Sequence, residues 1–304
     1  MIIYNTLMTI LQQGLCYGLV AMGVYVSYKI LDFPDLTVDG SFPLGGVVAV
    51  TLINGGMNFV LAIFIAMIAG AIMGMVTGIL HVKFKISNLL SGILTMTALA
   101  SINLAFAGRK IFVPYQNNHI FNNSFMALFG ANSEFGVIAI LLLIVVAFKI
   151  LIDIFLKTKT GFMLRAVGSN EKFCASMGRD SGNYKIMGLG AANGMVALGG
   201  AVYSQMMNFY DNTSGVGMVV LALASVIIGC AVFRKMPKVK GTTAVLVGAL
   251  IYTACLNIIV VTLSIFNIGS EYLKLVMAIL FAVILVLNNT LLSKGKKTVF
   301  SKEA

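Results

Sequence analysis

Charge is what this sequence has least of. Asp, Glu, Lys and Arg together make up 10% of its 304 residues, against 59% for the apolar set of Ala, Val, Ile, Leu, Met, Phe, Trp, Tyr and Cys. A soluble domain is nearer a quarter charged and half apolar. With a mean hydropathy of +0.99, the chain has too little polar surface for a soluble enzyme, a nucleic-acid-binding domain or a disordered segment. Cysteine and histidine are equally sparse. Cys16, Cys174, Cys230 and Cys255 stand alone without C-x-x-C spacing, so neither a disulfide framework nor a zinc site is expected. His81 and His119 are the only histidines. The fixed spacings of a P-loop, an H-E-x-x-H helix and a G-x-S-x-G elbow are all missing, and no acid, base and nucleophile converge in the sequence. The chain is not expected to be an enzyme, and no metal or covalent cofactor is expected in it. No Lys or Arg precedes Lys29, so the first apolar run lacks the positive start of a cleavable signal peptide and reads as a retained span.

What is abundant is apolar sequence, enough for about nine spans at roughly 20 residues each. The apolar runs fall near residues 5–28, 37–54, 58–80, 88–107, 135–156, 186–207, 216–233, 241–264 and 271–292, which predicts an all-α polytopic membrane protein of about eight to ten helices. The net charge of +11 then reports orientation. With alternating crossings, 17 of the 21 Lys and Arg fall on one side and only Arg109 and Lys110 on the other. The positive-inside rule makes the richer side cytoplasmic, including residues 157–185, 234–240 and the C-terminus, and leaves the N-terminus external. The run 37–54 opens on Asp35, Thr37, Asp39 and Ser41 and contains Pro43, Gly45 and Gly46, so a broken or re-entrant helix is expected there. Irregular backbone at membrane depth persists only where protein or a water-filled cavity satisfies it, which makes this segment a candidate for lining a pathway. Losing this crossing would move the N-terminus to the other side.

Polar groups inside spans are costly and usually face a partner or a cavity. Asp35, Thr37, Asp39 and Ser41 head that set, followed by Asn103, Asn193, Asn208 and Asn257, each open to two readings: a solute contact or a hydrogen bond between packed helices. Lys149 with Asp153, and Glu271 with Lys274, share helix faces and read as neutralising pairs. Gly70, Gly74 and Gly78, like Gly14 and Gly18, clear a stripe for close helix approach. A weak internal repeat links "DFPDLTVDGSFPLGG" with "NFYDNTSGVGMVV". Repeats of this kind place sites where interrupted helices meet, which directs attention to residues 32–46 and 208–218. The external stretch 108–134, rich in Asn and aromatics, is either a dock for a binding protein or a solvated loop.

The longest polar segment is "KTKTGFMLRAVGSNEKFCASMGRDSGNYK", residues 157–185. Ser169 or Asn170 suits an N-cap, Glu171 the positive start and Gly178 the stop of a helix of about two turns. So short a helix needs a surface to rest on. It offers a small knob of Phe173, Ala175, Ser176 and Met177 within a rim of Arg165, Lys172 and Arg179. The surface is either a partner protein or anionic lipid.

Thr160-Gly161, Arg165-Ala166, Gly168-x-Asn170 and Ala175-x-x-Gly178, followed by a span with Gly188, Gly190 and Gly199-Gly200, resemble the coupling loop of ABC-importer permeases of the branched-chain amino acid and ribose type. "YKILDFPDLTVDGSFPLGGVVAV" and "GVGMVVLALASVIIG" resemble the narrower branch assigned to tryptophan or tyrosine uptake. The resemblance covers nearly the whole chain. It implies a type II-like importer permease in the plasma membrane, with residues 1–292 as the transmembrane domain, 157–185 as its coupling loop and 293–304 as a basic cytoplasmic tail. It also implies a second permease copy forming a homodimer, separate ATPase subunits that bind ATP, an external substrate-binding protein, surrounding membrane lipid and no nucleic acid. ATPase contacts are expected at Arg165, Gly168, Asn170, Lys172, Phe173, Ala175, Met177, Gly178 and Arg179. The E-A-A-x-x-x-G pattern common to such loops is not matched, since Lys172, Phe173 and Cys174 stand where Glu, Ala and Ala would. The alternatives are a secondary transporter or channel coupled to ions through Asp39, and an intramembrane enzyme.

Overall fold

The computed structural model describes residues 2–108, 110–113, 119–122, 134–176, 178, 180–234, 236, 239–265 and 275–286. Helix α1 (Ile2–Val24) continues into a π-helical segment (Tyr25–Ile30). Helices α2 (Val38–Asn54), α3 (Phe59–Val82) and α4 (Asn88–Ala107) follow, then strand β1 (Lys110–Phe112) and helix α5 (Glu134–Phe155). Short helices α6 (Lys159–Ser169) and α7 (Glu171–Ser176) lead into α8 (Ser181–Met207). Strand β2 (Phe209–Asp211), a 3-10 turn (Asn212–Gly215), α9 (Met218–Val232), α10 (Gly241–Ile265) and a last apolar helix, α11 (Leu275–Val286), complete the described chain. Among the described residues, seven helical stretches are long and apolar enough to cross a membrane, starting at Tyr4, Phe59, Asn88, Glu134, Ser181, Asn212 and Gly241; α2 and α11 are shorter apolar helices. The protein is an all-α polytopic membrane protein, with one two-stranded ribbon among the described residues.

Helix starts are set by local chemistry. Asn58 accepts a hydrogen bond from Val60 N at 2.8 Å to open α3, and Asp180 accepts one from Gly182 N at 2.9 Å to open α8, each satisfying a first-turn amide that the helix cannot. The cap at Asp180 starts α8 about a turn before the apolar run at residue 186, so its first turn is built from polar sequence that hydropathy alone assigns to the loop.

Two parts of the fold repeat one local plan. Asp32, Phe33, Asp35 and Thr37 match Asn208, Phe209, Asp211 and Thr213 at one constant offset in sequence. Their backbones match as well. Asp32 and Asn208 both take left-handed conformations, with φ of 54° and 57°, and each ends a long helix. Asp35 Oδ1 accepts from Thr37 N at 2.9 Å just as Asp211 Oδ1 accepts from Thr213 N at 2.9 Å. The packing repeats the same way. Gly14 and Gly18 of α1 receive Leu250 and Leu246 of α10, while Gly190 and Gly194 of α8 receive α3 at Ala71 with Met75 and Met67. Where the two repeats meet, Gly23 faces Ala192 and Met195 while Gly199 faces Leu19 and Val20, so α1 and α8 cross antiparallel. Removing side chains along these stripes lets backbones approach closely, which in hydrocarbon replaces the hydrophobic effect as the source of association.

The interruption expected within residues 37–54 lies before them instead. α2 runs unbroken through Pro43, and the irregular stretch is residues 31–37. Pro43 lacks the N–H that would reach the Asp39 carbonyl four residues back, and Gly215 of the opposite half packs against that carbonyl and the proline ring. Close packing by Gly215 therefore supports the helix where Pro43 removes its ladder bond.

Candidate functional site where two re-entrant segments meet

Residues 31–37 and 208–217 each fold back from the end of a long helix and deliver the start of a shorter one. α2 has 17 residues, fewer than the roughly 20 that a full crossing takes, whereas α9 has 15 and reaches crossing length only with the 3-10 turn before it. Both starts lie near the middle of the longer helices: Ser41 of α2 meets Asn193, near the centre of the 27-residue α8. The two starts meet at Asp39. Its carboxylate accepts from Gly217 N at 3.1 Å and from Val219 N at 2.8 Å. Asp39 thus serves as a remote cap for α9, whose own N-cap residue, Gly217, has no side chain to offer. A carboxylate at a helix N-terminus is stabilised by the free N–H groups and the helix dipole.

Beside this junction lies a buried polar network. Asn193 Nδ2 donates to Asp35 Oδ2 at 2.6 Å, and Ser41 Oγ donates to Asn193 Oδ1 at 2.8 Å. Thr37 Oγ1 lies 2.8 Å from Thr77 Oγ1, which donates to Thr95 Oγ1 at 2.9 Å. One connected set of hydroxyls, an amide and a carboxylate therefore links the re-entrant segment to α3, α4 and α8. The four residues singled out at the head of the segment, Asp35, Thr37, Asp39 and Ser41, fall together here with Asn193. Asn103 joins at its edge, with Nδ2 donating to Gly40 O at 3.2 Å while its Oδ1 has no partner among the described residues. Asn208 and Asn257 lie elsewhere. Asn208 ends α8, and its carbonyl accepts from Val113 N at 2.9 Å. Asn257 donates to Gln13 Oε1 at 3.3 Å across the α1–α10 seam. Thr77 and Thr95 were not singled out from the sequence, yet complete the chain. Thr77 stands beside Gly78 in the glycine stripe of α3, a polar residue on a packing face, and that was the available signal.

Behind the segment stands the 157–185 loop. It contains two helices where one was expected. The first, α6, begins when Thr158 Oγ1 accepts from Gly161 N at 3.3 Å, and its Gly168 packs against the Ile30 carbonyl and Leu31. α7 then occupies residues 171–176, close to the two turns expected, after Asn170, whose carbonyl accepts from Cys174 N at 3.3 Å. Gly178 follows with φ of 71°, a conformation that suits glycine and ends a helix. Lys185 lies 2.7 Å from Glu171 Oε1, and Ser181 Oγ donates to the same oxygen at 3.1 Å. These tie α7 to α8, and the lysine's hydrogen bond holds the Glu171 carboxyl below the usual glutamate range. Arg165 borders two clefts together with Tyr25. Lys172, Phe173 and Ala175 lie on α7; Met177 and Arg179 fall outside the described residues, as do Glu271 and Lys274. On the opposite face β1 pairs antiparallel with β2, Lys110 with Asp211 and Phe112 with Phe209, and Ile120 N donates to the buried Gln205 Oε1 at 3.2 Å. Burial lowers the affinity of His119 for a proton. Among the described residues no three His, Cys, Asp or Glu side chains converge as a metal cage requires.

A family described as branched-chain amino acid transport system, permease component, matches residues 6–287. The chain belongs to this family. The tyrosine transport system permease protein of Clostridioides difficile strain R20291 is 42% identical over 246 residues, covering 81% of this chain and 80% of the relative. The ribose import permease protein RbsC of Haemophilus influenzae is 24% identical over 292 residues, covering 95% and 87%. In three dimensions the chain resembles the solved structure of PsaBC from Streptococcus pneumoniae in complex with Fab, with a TM-score of 0.51 over 92% of this chain and 90% of that one. At 14% identity that likeness concerns the fold alone. The permease thus joins a sequence family of transport components to an architecture in which two helix starts meet inside the helical bundle.

Proposed function

We propose that this permease is the membrane subunit of an ATP-binding cassette importer and that it carries an aromatic amino acid, tyrosine or tryptophan, inward across the plasma membrane by alternating access. The observation that carries the reading is the meeting of two helix starts at Asp39, flanked by the Asp35–Asn193–Ser41 network, within a chain 42% identical to a tyrosine transport permease. Inverted repeats with interrupted helices suit alternating access, because either half can rock against the other around a fixed centre. Two copies would form the pathway, each engaged by one ATPase subunit, with a substrate-binding protein delivering solute to the 108–134 face.

The coupling route is mechanical. ATPase closure would press on residues 168–180; α6 lies directly on Ile30 and Leu31 through Gly168, and the next residues reach Asp35 and Thr37. Force applied at the loop is thereby delivered to the polar network that fixes the start of α2. Against coupling of transport to ions through Asp39 stands its geometry, since both of its oxygens already accept backbone N–H groups of α9.

Replacing Gly178 and Arg179 should uncouple ATP hydrolysis from uptake: ATPase activity of the reconstituted complex persists while tyrosine or tryptophan accumulation in proteoliposomes is lost. Unchanged uptake in that variant would remove the coupling assignment. Accumulation of ribose in place of either amino acid would remove the substrate class.

A further inference from the structure

At the end of α5 a cleft of about 230 Å³ opens between α5, α6, the π-helical segment and the start of α10. Lys157, Arg165 and Lys240 line it, with Asp153 as its one carboxylate. That carboxylate is already fully engaged. Oδ2 accepts from Lys240 Nζ at 2.9 Å, with Lys149 Nζ at 3.3 Å, and Oδ1 accepts from Thr242 Oγ1 at 2.6 Å. Lys157 and Arg165 make no ion pair among the described residues. The cleft therefore gathers more positive charge than its carboxylate balances. The first residues of the 25-residue helix α10, Gly241 and Thr242, also border it and add the positive end of a long helix dipole.

The surroundings of the cleft decide what kind of anion it suits. Ile150 precedes Asp153 of the cleft by three residues and Ile154 by four, so on α5 the two isoleucines neighbour the cleft wall, and Lys157 follows in the turn after the helix. Ile150 and Ile154 are 49% and 59% exposed, and on a spanning helix exposed apolar surface faces acyl chains. An apolar strip on the outer face of the helix thus runs directly into a polar, cationic recess at its end. A free anion uses only the recess, whereas a molecule with both a phosphate and a hydrocarbon tail uses both.

We infer that this cleft binds the phosphate head group of an anionic phospholipid, held by Lys157 and Arg165, with an acyl chain along Ile150 and Ile154. Basic recesses between spanning helices at a membrane surface are suited to such head groups, and Arg presents a fork matched to two phosphate oxygens. Bound there, the lipid bridges α5 and α6 and braces α6 against the segment it supports. The inference rests on the chain being a membrane permease and not on its solute or its ATPase.

The test is thermal unfolding of the purified full-length permease in detergent, titrated separately with dioleoyl-phosphatidylglycerol, dioleoyl-phosphatidylcholine and inorganic phosphate. The expected result is a saturable rise in midpoint with phosphatidylglycerol alone, and an apparent affinity about tenfold weaker or worse in Lys157→Gln/Arg165→Gln, equivalent to the loss of one good charged contact. The Lys157→Arg variant, which keeps both charges and the Arg165 fork, should retain the response, as should Lys83→Gln/Lys85→Gln, which removes equal charge from another loop. Native mass spectrometry should find phosphatidylglycerol retained by the parent and lost from Lys157→Gln/Arg165→Gln at matched helix content. An equal response to phosphatidylcholine, a full response in Lys157→Gln/Arg165→Gln, or stabilisation by inorganic phosphate alone would each overturn the assignment.

Discussion

The two re-entrant segments share a backbone plan and differ in what surrounds it. In residues 31–37 the Asp-x-Thr turn is buried: Asp35 is 5% exposed and Thr37 0%, with Asn193 and Thr77 completing their hydrogen bonds. In residues 208–217 the equivalent Asp211 and Thr213 are less buried, and the Thr213 hydroxyl turns back to donate to Asp211 Oδ1 at 2.8 Å. The first segment is backed by α6 of the 157–185 loop and the second by strand β1. Symmetry breaks most sharply where Asp39 of one half corresponds to Gly215 of the other. One carboxylate therefore sits at the junction instead of two, and glycine in the matching place gives it room. A shared scaffold builds two interrupted helices, while a few substitutions make one segment a polar joint and the other a pinned rim.

The largest effect should come from removing the partner of the buried carboxylate. Asn193→Leu leaves Asp35 Oδ2 and Ser41 Oγ without their bond, a loss of about 3 kcal/mol for a buried charged acceptor. Asp211→Asn in the other half should cost no more than about 0.5 kcal/mol, within the usual range for sites away from buried networks. Unfolding midpoints of the two purified variants compare the halves directly, and equal losses would erase the distinction. Next in size is Gly215→Ala, which drives a Cβ into the Asp39 carbonyl and the Pro43 ring; overpacking of this kind costs about 1–3 kcal/mol. Asp39→Ala should follow at about 1–2 kcal/mol, the range for losing a helix N-cap, with Asp39→Asn recovering part of it because the amide oxygen still accepts one bond. Should Asp39→Asn abolish uptake while leaving stability intact, Asp39 would have a role beyond capping.

The smallest effect is expected at the loop. Glu171 is about half exposed, so Glu171→Gln should cost under about 1 kcal/mol at neutral pH. Its lowered proton affinity fixes the sign of the pH dependence. The stabilisation is complete above the ordinary glutamate range and disappears as pH falls through the lower value of the folded state. Proteolysis of the 157–185 loop followed as pH drops should accelerate only in that acid range, and Glu171→Gln should flatten the profile.

Much of this organisation is legible in the residues because hydrophobicity and charge act locally. Each expected span corresponds to an apolar helix near its place, since roughly 20 apolar residues between charged ends have few alternatives. The short similarity between "DFPDLT" and "NFYDNT" pointed to the two segments that meet. What stayed hidden depends on distant partners. Pro43 suggested a break in α2, but the helix survives because Gly215, far along the chain, packs against the carbonyl it frees. Asp39 read as an ion-coupling candidate because nothing local reveals that its acceptors face the start of α9. Thr77 and Thr95 were silent because a threonine in an apolar run carries no mark of the hydroxyl it will meet.

An external ATPase is proposed to drive this permease through residues 168–180. The most direct test is to purify the tagged permease from native membranes in mild detergent, identify what accompanies it by mass spectrometry, and assay ATP hydrolysis. An ABC ATPase should co-purify with the parent and dissociate when residues 168–180 are altered. A permease that purifies alone and moves tyrosine into proteoliposomes without ATP would contradict it.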